Sequence, residues 1–128
     1  MKNKLISTFV ESRLKQVLIH DLDSYHVKDS NEAYNLQEIV NEKLSLSGLG
    51  EVIGYKIGCT NKSIQKELGV NCPIFGTIFK NKIINSNKTI YIKEFTKVGV
   101  ECEIYIKISK EVNDCLLYTS DAADEITG

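Results

Sequence analysis

The apolar residues in the first half of the chain recur at helical spacing. From Lys4 to about Ile19 they share one helical face: Leu5, Ile6, Phe9, Val10, Leu14, Val17 and Leu18. This spacing predicts an amphipathic helix, followed by a solvated loop over His20–His26. A second helix is predicted to begin at Asp29 or Ser30, both natural N-caps, with Glu32 in the capping-box position relative to Asp29, and to end around Ser47–Gly50.

After the second helix, the apolar spacing changes from a helical to a strand period. The predicted elements are then a strand over Val52–Gly58, a short helix from Asn61 to Leu68, a turn around Ile74–Phe75, and strands near Thr89–Ile92 and Val98–Ser109. Because helices come first and strands come later, the pattern predicts an α+β fold with N-terminal helices followed by a mixed β-sheet.

Alternation is clearest in the last predicted strand. Its apolar residues share one face: Val98, Val100, Cys102, Ile104, Ile106 and Ile108. Cys102 is therefore expected to be a small buried hydrophobe. Glu101 and Glu103 point to the other face, about 6.6 Å apart along the strand. Two carboxylates at this spacing can converge on one divalent cation, and oxygen-only ligands favour Mg²⁺ or Mn²⁺. The alternative is a strand with a solvated acidic face.

Lys56 lies between Gly54 and Gly58 in the first predicted strand. Its apolar neighbours could partly desolvate the amine and lower its pKa into the range useful for acid–base catalysis. The alternative is a solvent-facing lysine on an edge strand. The G-x-K-x-G sequence is not a phosphate-binding loop, because the required Gly-Lys-Ser/Thr order is absent.

Composition and charge narrow the possible partners. The 128 residues are 42% hydrophobic and 26% charged, which is typical of one globular domain. The net charge of −1 provides no basic field for nucleic acid or an anionic membrane.

No apolar run approaches the roughly 20 residues of a membrane helix, and charges interrupt any N-terminal signal sequence, which predicts a cytoplasmic protein. The four cysteines contain no C-x-x-C pair and are expected to be reduced thiols.

Residues 115–128 differ in composition from the rest of the chain. They contain no Lys or Asn and hold two of the three alanines. The run from Cys115 to Glu125 resembles a translated sequencing adapter, so we expect the natural sequence to end near Asp114. The alternative is an ordinary polar C-terminal tail.

Four motifs occur in an order that is typical of one enzyme family. They are Ala33-Tyr34-x-x-Gln37, Gly54-Tyr55-Lys56-Ile57-Gly58-Cys59-Thr60, Leu68-Gly69-Val70-Asn71-Cys72-Pro73-Ile74-Phe75-Gly76 and Val100-Glu101-Cys102-Glu103-Ile104. In these motifs the chain resembles the 2-keto-4-pentenoate hydratase / 4-oxalocrotonate decarboxylase family, within the fumarylacetoacetase superfamily. The resemblance runs from about Val27 to Val112.

The resemblance implies roles for three residues. Family members bind Mg²⁺ or Mn²⁺ through the two glutamates of the E-x-E strand, which correspond to Glu101 and Glu103. A third acidic ligand would lie beyond Asp114. The lysine of the G-x-K-x-G motif corresponds to Lys56 and is implicated in proton transfer or substrate orientation. The substrate would be a short 2-oxo or 2-hydroxydienoic acid from aromatic meta-cleavage, whose 2-oxo group the metal polarises.

The resemblance also has implications for the chain as a unit. Residues 1–114 would form the N-terminal part of a single hydratase-like domain with an incomplete fumarylacetoacetase-like fold. The full-length protein would be a homo-oligomer, and the chain as given would be an inactive fragment.

The chain departs from the family pattern at two positions. Many hydratases have an acidic residue where this chain has Ile74, and another where it has Asn71. An apolar Ile74 cannot orient a water molecule, which weakens the case for a hydratase relative to a 4-oxalocrotonate-type decarboxylase or an acylpyruvate C–C hydrolase. A non-catalytic α+β module is the alternative from another class. The hydratase remains the expected function.

Overall fold

The computed structural model describes residues 2–109 of the chain. Residues 2–98 hold the helices and strands of the described chain and form one compact unit, and residues 99–109 belong to a second unit, described separately below. The predicted adapter-derived segment, residues 115–128, lies outside the described residues. Among residues 2–109, no helix combines the length and the apolar character needed to cross a membrane.

The first helix, α1 (Lys2–Lys15), is about one turn shorter at its C-terminus than the spacing predicts. Gln16 takes a left-handed conformation with φ 55°, and the Val17 N–H donates to the Ser12 carbonyl at 3.1 Å. This is a Schellman turn, which satisfies a free carbonyl of the last helical turn and ends the helix. Leu5 and Ile6 are its buried residues.

The second helix, α2 (Ser30–Leu44), begins where the capping pattern predicts. The Glu32 N–H donates to the Asp29 carboxylate at 2.9 Å, and the Glu32 carboxylate accepts the Lys28 N–H at 2.7 Å. The Asp29 carboxylate therefore satisfies an N–H group that the first helical turn leaves free, and the Glu32 carboxylate binds the N–H of the residue before the N-cap. The Lys2 ammonium of α1 also pairs with Glu32.

These contacts should make the start of α2 sensitive to acid. The hydrogen bond from Lys2, followed by that from the Lys28 N–H, holds the pKa of the Glu32 carboxyl below its usual value of 4.5. A lowered pKa contributes stability that is present above about pH 4.5 and is lost as pH falls towards the folded-state pKa. In Glu32→Gln, we expect the free energy of unfolding to depend less on pH below about 4.5, measured by urea unfolding at several pH values. Equal pH dependence in the two proteins would contradict this.

The hydrophobic core lies where α2 ends. A wider, π-helical turn over Ser45–Leu49 follows α2, and Gly48 turns the chain with φ 105°. The Asn81 side-chain amide donates to the Gly48 carbonyl at 2.9 Å and so replaces the missing helical partner. The core residues are Leu44, Leu49 and Phe79, with Val10 and Val40 packed against them.

Two antiparallel strands form the sheet of this unit: β1 (Val52–Gly58) and β2 (Ile74–Phe79). A short helix, α3 (Lys62–Glu67), connects them. Single 3₁₀ turns lie at Leu22–Ser24, Lys80–Lys82 and Ile92–Glu94. The predicted α+β class is confirmed, and β1 has the predicted bounds.

Three predicted elements of the sheet are wrong. Ile74 and Phe75 begin β2 rather than a turn, because they pair with Gly58 and Ile57. The predicted strands near Thr89–Ile92 and over Val98–Ser109 are not formed, and the described residues contain an antiparallel pair instead of a mixed sheet. Within residues 2–109, neither segment has a partner strand for its backbone N–H and C=O groups, and a strand depends on that pairing.

Candidate functional site

The pairing of β1 and β2 divides their side chains between two faces of the sheet. One face, here called the α2 face, carries Val52, Tyr55, Ile57, Phe75, Thr77 and Phe79. The other, here called the glycine face, carries Gly54, Lys56, Gly58, Ile74, Gly76 and Ile78. A β-bulge between Val52 and Gly54 places Val52 on the same face as Tyr55.

Lys56 lies at the centre of the glycine face. It pairs with Gly76, and a Cβ at position 76 would lie 3.6 Å from the Lys56 Cε. The lysine stem therefore extends over the space that a side chain at position 76 would fill. On either side, Ile74 lies over Gly58 and Ile78 lies over Gly54. Lys56 is exposed, as in the alternative of a solvent-facing lysine, so its apolar neighbours do not bury the amine.

Gln65 of α3 closes the turn that follows β1. It is 3% exposed, and its amide donates to the Cys59 carbonyl at 2.6 Å. Cys59 itself has φ 57°, in the left-handed region that residues with a Cβ rarely adopt. The predicted cap of α3, Thr60, is wrong by one residue, because the Asn61 side chain accepts the Ser63 N–H at 2.7 Å. Gln65 was not found from the sequence, since a polar residue in a short helix gives no signal of burial.

On the other side of the sheet, α2 binds β2 through two of the motifs that carry the resemblance. The Tyr34 ring stacks on the Phe75 ring, with centroids 4.3 Å apart and planes 6° from parallel. The Phe75 N–H donates to the Tyr34 hydroxyl at 3.3 Å, and the Gln37 amide lies 3.5 Å from the Phe75 carbonyl. The Tyr34 and Gln37 side chains thus hold the edge of β2, which is a structural role.

The stability of this junction should depend on both the hydroxyl and the ring of Tyr34. Tyr34→Phe removes the acceptor of the Phe75 N–H and should lower the free energy of unfolding by about 0.5–1.5 kcal/mol. Tyr34→Leu also removes the stacked ring and should lower it by a further ~0.5–1.5 kcal/mol. Urea unfolding measures both, with Phe75→Leu completing a double-mutant cycle. If the changes in the free energy of unfolding caused by Tyr34→Leu and Phe75→Leu simply add in the double mutant, the two side chains do not stabilise each other.

A cleft of about 600 Å³ opens between α2 and the α2 face. Its walls include Tyr55 and Phe75 from the sheet, and Glu38 and Glu42 from α2. No basic side chain lines it. Two carboxylates and no cation among the described lining residues disfavour an anionic ligand, because like charges repel. The two sides of the sheet therefore differ in charge, with the lysine on the glycine face and the carboxylates on the other side.

Glu101 and Glu103 lie in the second unit. Both are exposed, in a segment without regular secondary structure. Cys102 between them is also exposed, so its predicted burial is wrong: the described residues give the apolar side of this segment nothing to pack against. The neighbouring Val100 and Ile104 are 91% and 93% exposed.

The two glutamates fit a hard divalent cation in chemistry but do not complete a site. Carboxylate oxygens are the ligands that Mg²⁺ and Mn²⁺ take. Among residues 2–109, no three His, Cys, Asp or Glu side chains are grouped closely enough to hold a metal ion. Glu101 and Glu103 therefore remain predicted ligands.

The cysteines and histidines of the described chain are not grouped into a site. Cys59, Cys72 and Cys102 are free thiols, as predicted, and Cys115 lies outside the described residues. His20 and His26, which bound the predicted solvated loop, are exposed within the connection between α1 and α2.

Comparison with known proteins points to one class of enzyme, the hydratases. The chain is 31% identical to a 2-keto-4-pentenoate hydratase of Burkholderia vietnamiensis over 84 residues, which are 66% of this chain and 32% of the relative. It is 30% identical to a 2-keto-4-pentenoate hydratase of Paraburkholderia xenovorans over 91 residues, 71% of this chain and 34% of the relative. A TodF product hydratase of Pseudomonas putida is 28% identical over 93 residues, 73% of this chain and 34% of the relative.

These matches confirm the resemblance to 2-keto-4-pentenoate hydratases that the four motifs indicate. The chain spans about a third of the length of the curated relatives it matches. No protein-family model matches the chain. No solved structure matches it significantly.

Proposed function

We propose that the whole protein is a hydro-lyase that adds water to a 2-hydroxy-2,4-dienoate of the 2-keto-4-pentenoate type, in the breakdown of aromatic compounds. The observation that carries the proposal is the position of Lys56, exposed on the sheet face that also carries Gly54, Gly58 and Gly76. The similarity to hydratases supports the same activity. The fold we propose for the whole protein is fumarylacetoacetase-like.

Charge supports the glycine face as the substrate side of the sheet. A dienoate carries a carboxylate, and an ammonium group is the natural partner of that charge. The cleft on the other side offers only carboxylates among its charged lining residues. The isoleucines beside Lys56, Ile74 and Ile78, suit the apolar carbon chain of a dienoate.

We propose that Lys56 moves a proton during the reaction. Water addition to a conjugated 2-hydroxydienoate protonates two carbons, C5 and C3, with the proton of the 2-hydroxyl and a proton of water, while the hydroxyl of water bonds to C4. A lysine beside the chain can serve as the general acid or base for such a step. The Lys56 side chain is exposed, so substrate can reach the amine from solvent.

We propose Mg²⁺ or Mn²⁺ as the cofactor, with Glu101 and Glu103 as two of its ligands. The metal would act as a Lewis acid on the 2-oxo group of the substrate. A third acidic ligand is part of this proposal, because two carboxylates alone hold a divalent cation weakly. We further propose that the whole protein is a homo-oligomer.

One observation favours a second candidate, a decarboxylase of the 4-oxalocrotonate type. Ile74 lies on the glycine face beside Lys56, 41% exposed. It has no polar atom that could orient an attacking water molecule. A decarboxylase protonates the enolate that the loss of carbon dioxide leaves and needs no attacking water, so an apolar residue at this position suits it.

The reaction products distinguish these candidates. The gene is continued beyond the codon for residue 114 and expressed. The purified protein is then assayed with Mg²⁺ on two substrates separately, a 2-hydroxy-2,4-dienoate and 4-oxalocrotonate. The proposal expects Mg²⁺-dependent loss of the dienoate absorbance and a 4-hydroxy-2-oxo acid as product, without release of carbon dioxide. Release of carbon dioxide from 4-oxalocrotonate, with no hydration, would establish the decarboxylase. Absence of turnover on either substrate, by a folded protein with bound metal, would overturn the proposed enzyme.

A further inference from the structure

We propose that Gln65 is a positioning residue for Lys56, acting through the carbonyl of Cys59. Gln65 would fix the turn at the end of β1 and thereby the direction of the strand that carries the lysine. The effect on catalysis rests on the proposed function, whereas the effect on the turn does not.

The contacts of Gln65 connect the end of β1 to both ends of α3. Its side-chain amide donates to the Cys59 carbonyl at 2.6 Å, and its side-chain oxygen accepts from the Lys62 ammonium at 3.0 Å. Its backbone carbonyl accepts the Val70 N–H at 2.9 Å, which ends α3. Burying a polar side chain that is 3% exposed is costly unless its amide nitrogen and oxygen form hydrogen bonds such as these.

The turn that Gln65 holds is strained. Cys59 has φ 57°, and a residue with a Cβ keeps this conformation only where surrounding contacts hold it. Its neighbour Gly58, which forms the last pair of the β1–β2 ladder, has no side chain to hold the turn. The Gln65 amide, which donates to the Cys59 carbonyl, provides a side-chain hydrogen bond to this turn.

Lys56 lies three residues before Cys59 in the chain, and its stem extends over Gly76 of β2. If the turn relaxes, the last pairs of the ladder loosen, and the lysine stem loses its fixed position over that glycine. Removing the Gln65 amide should therefore lower the rate of the proton-transfer step more than the binding of substrate.

Local opening of the turn can be measured without enzyme activity. In a chain whose other cysteines are serine, the reaction of the half-buried Cys59 thiol with a disulfide reagent reports exposure of the turn. Gln65→Met keeps the volume of the side chain but loses both polar atoms. It should raise the rate of the thiol reaction about tenfold, which corresponds to the net contribution of one hydrogen bond, here the one to the Cys59 carbonyl. Leu68→Ala, on the same helical segment, is the control for general destabilisation and should change the rate much less.

Catalysis is measured in the protein expressed from the continued gene. Gln65→Met should lower kcat about tenfold and leave KM within about twofold. Glycine tolerates the left-handed conformation without strain, so Cys59→Gly should restore much of the kcat that Gln65→Met loses. A purely structural role for Gln65 predicts lower stability without this rescue.

Each result decides a separate part of the proposal. An unchanged thiol reaction rate in Gln65→Met would overturn the role of Gln65 in the turn. A raised thiol rate with unchanged kcat, or no rescue by Cys59→Gly, would overturn the link to Lys56. If the wild-type protein turns over no dienoate, the proposed function and the catalytic link both fail, and the thiol rate still decides the role in the turn.

Discussion

Replacing Lys56 with methionine should lower turnover of the dienoate by about 10²–10⁴ in the protein expressed from the continued gene. Methionine keeps much of the stem that extends over Gly76 but lacks the ionisable amine, so packing on the glycine face should be retained. The affinity for Mg²⁺ should change little, because the lysine is not a metal ligand. Steady-state kinetics and isothermal titration with Mg²⁺ measure the two effects.

Lys43→Met is the matched control for this experiment. Lys43 is an exposed lysine in the last turn of α2, away from the sheet faces. Its replacement removes the same charge from the protein and should leave turnover within about twofold. Near-normal turnover in Lys56→Met would assign Lys56 to the surface and remove it from the mechanism.

The second large effect is expected at the predicted metal ligands. Glu101→Gln and Glu103→Gln each replace a charged oxygen ligand by a neutral amide and should weaken Mg²⁺ binding by more than about 10–100-fold, the range known for outer-shell partners alone. Turnover should fall in parallel and recover in part at high Mg²⁺ concentration. Titration of the protein with Mg²⁺ or Mn²⁺ measures the affinity directly.

Glu94→Gln is the control for the metal ligands, because it removes a carboxylate from the 3₁₀ turn at Ile92–Glu94, earlier in the chain. It should leave the affinity for Mg²⁺ unchanged. If all three variants bind the metal equally well, Glu101 and Glu103 form a solvated acidic surface and the metal is held elsewhere.

The elements that the sequence predicts well depend on local chemistry. The start of α2 requires only Asp29 and Glu32, whose side chains bond to N–H groups within four residues. The bounds of β1 follow from an apolar run between glycines. In each case the residues that determine the structure lie within the element, so their spacing along the chain is sufficient.

The elements that the sequence misses depend on distant contacts. Pro73 and Gly76 indicate a turn, but Gly76 is needed because the Lys56 stem crosses from the neighbouring strand. The burial of Gln65 depends on the carbonyl of Cys59. The alternation over residues 98–108 shows which side chains would share a face, but it does not supply the partner strand that pairing requires.

The candidate site could be predicted only in part, for the same reason. The position of Lys56 on one face of β1 follows from the sequence, whereas its exposure and its glycine surroundings depend on β2. The unequal charge of the two sides of the sheet was not predicted, because Glu38 and Glu42 reach the cleft only through the packing of α2 on β2.

The stacking of Tyr34 on Phe75 also gives the protein an intrinsic optical signal. The chain contains six tyrosines and no tryptophan, so tyrosine dominates its near-ultraviolet spectrum. The Tyr55 ring lies edge-on to the same phenylalanine, with centroids 6.0 Å apart. Two tyrosines held rigidly around one ring should produce a strong near-ultraviolet circular dichroism band, which would report the joining of α2 to β2 without an added label.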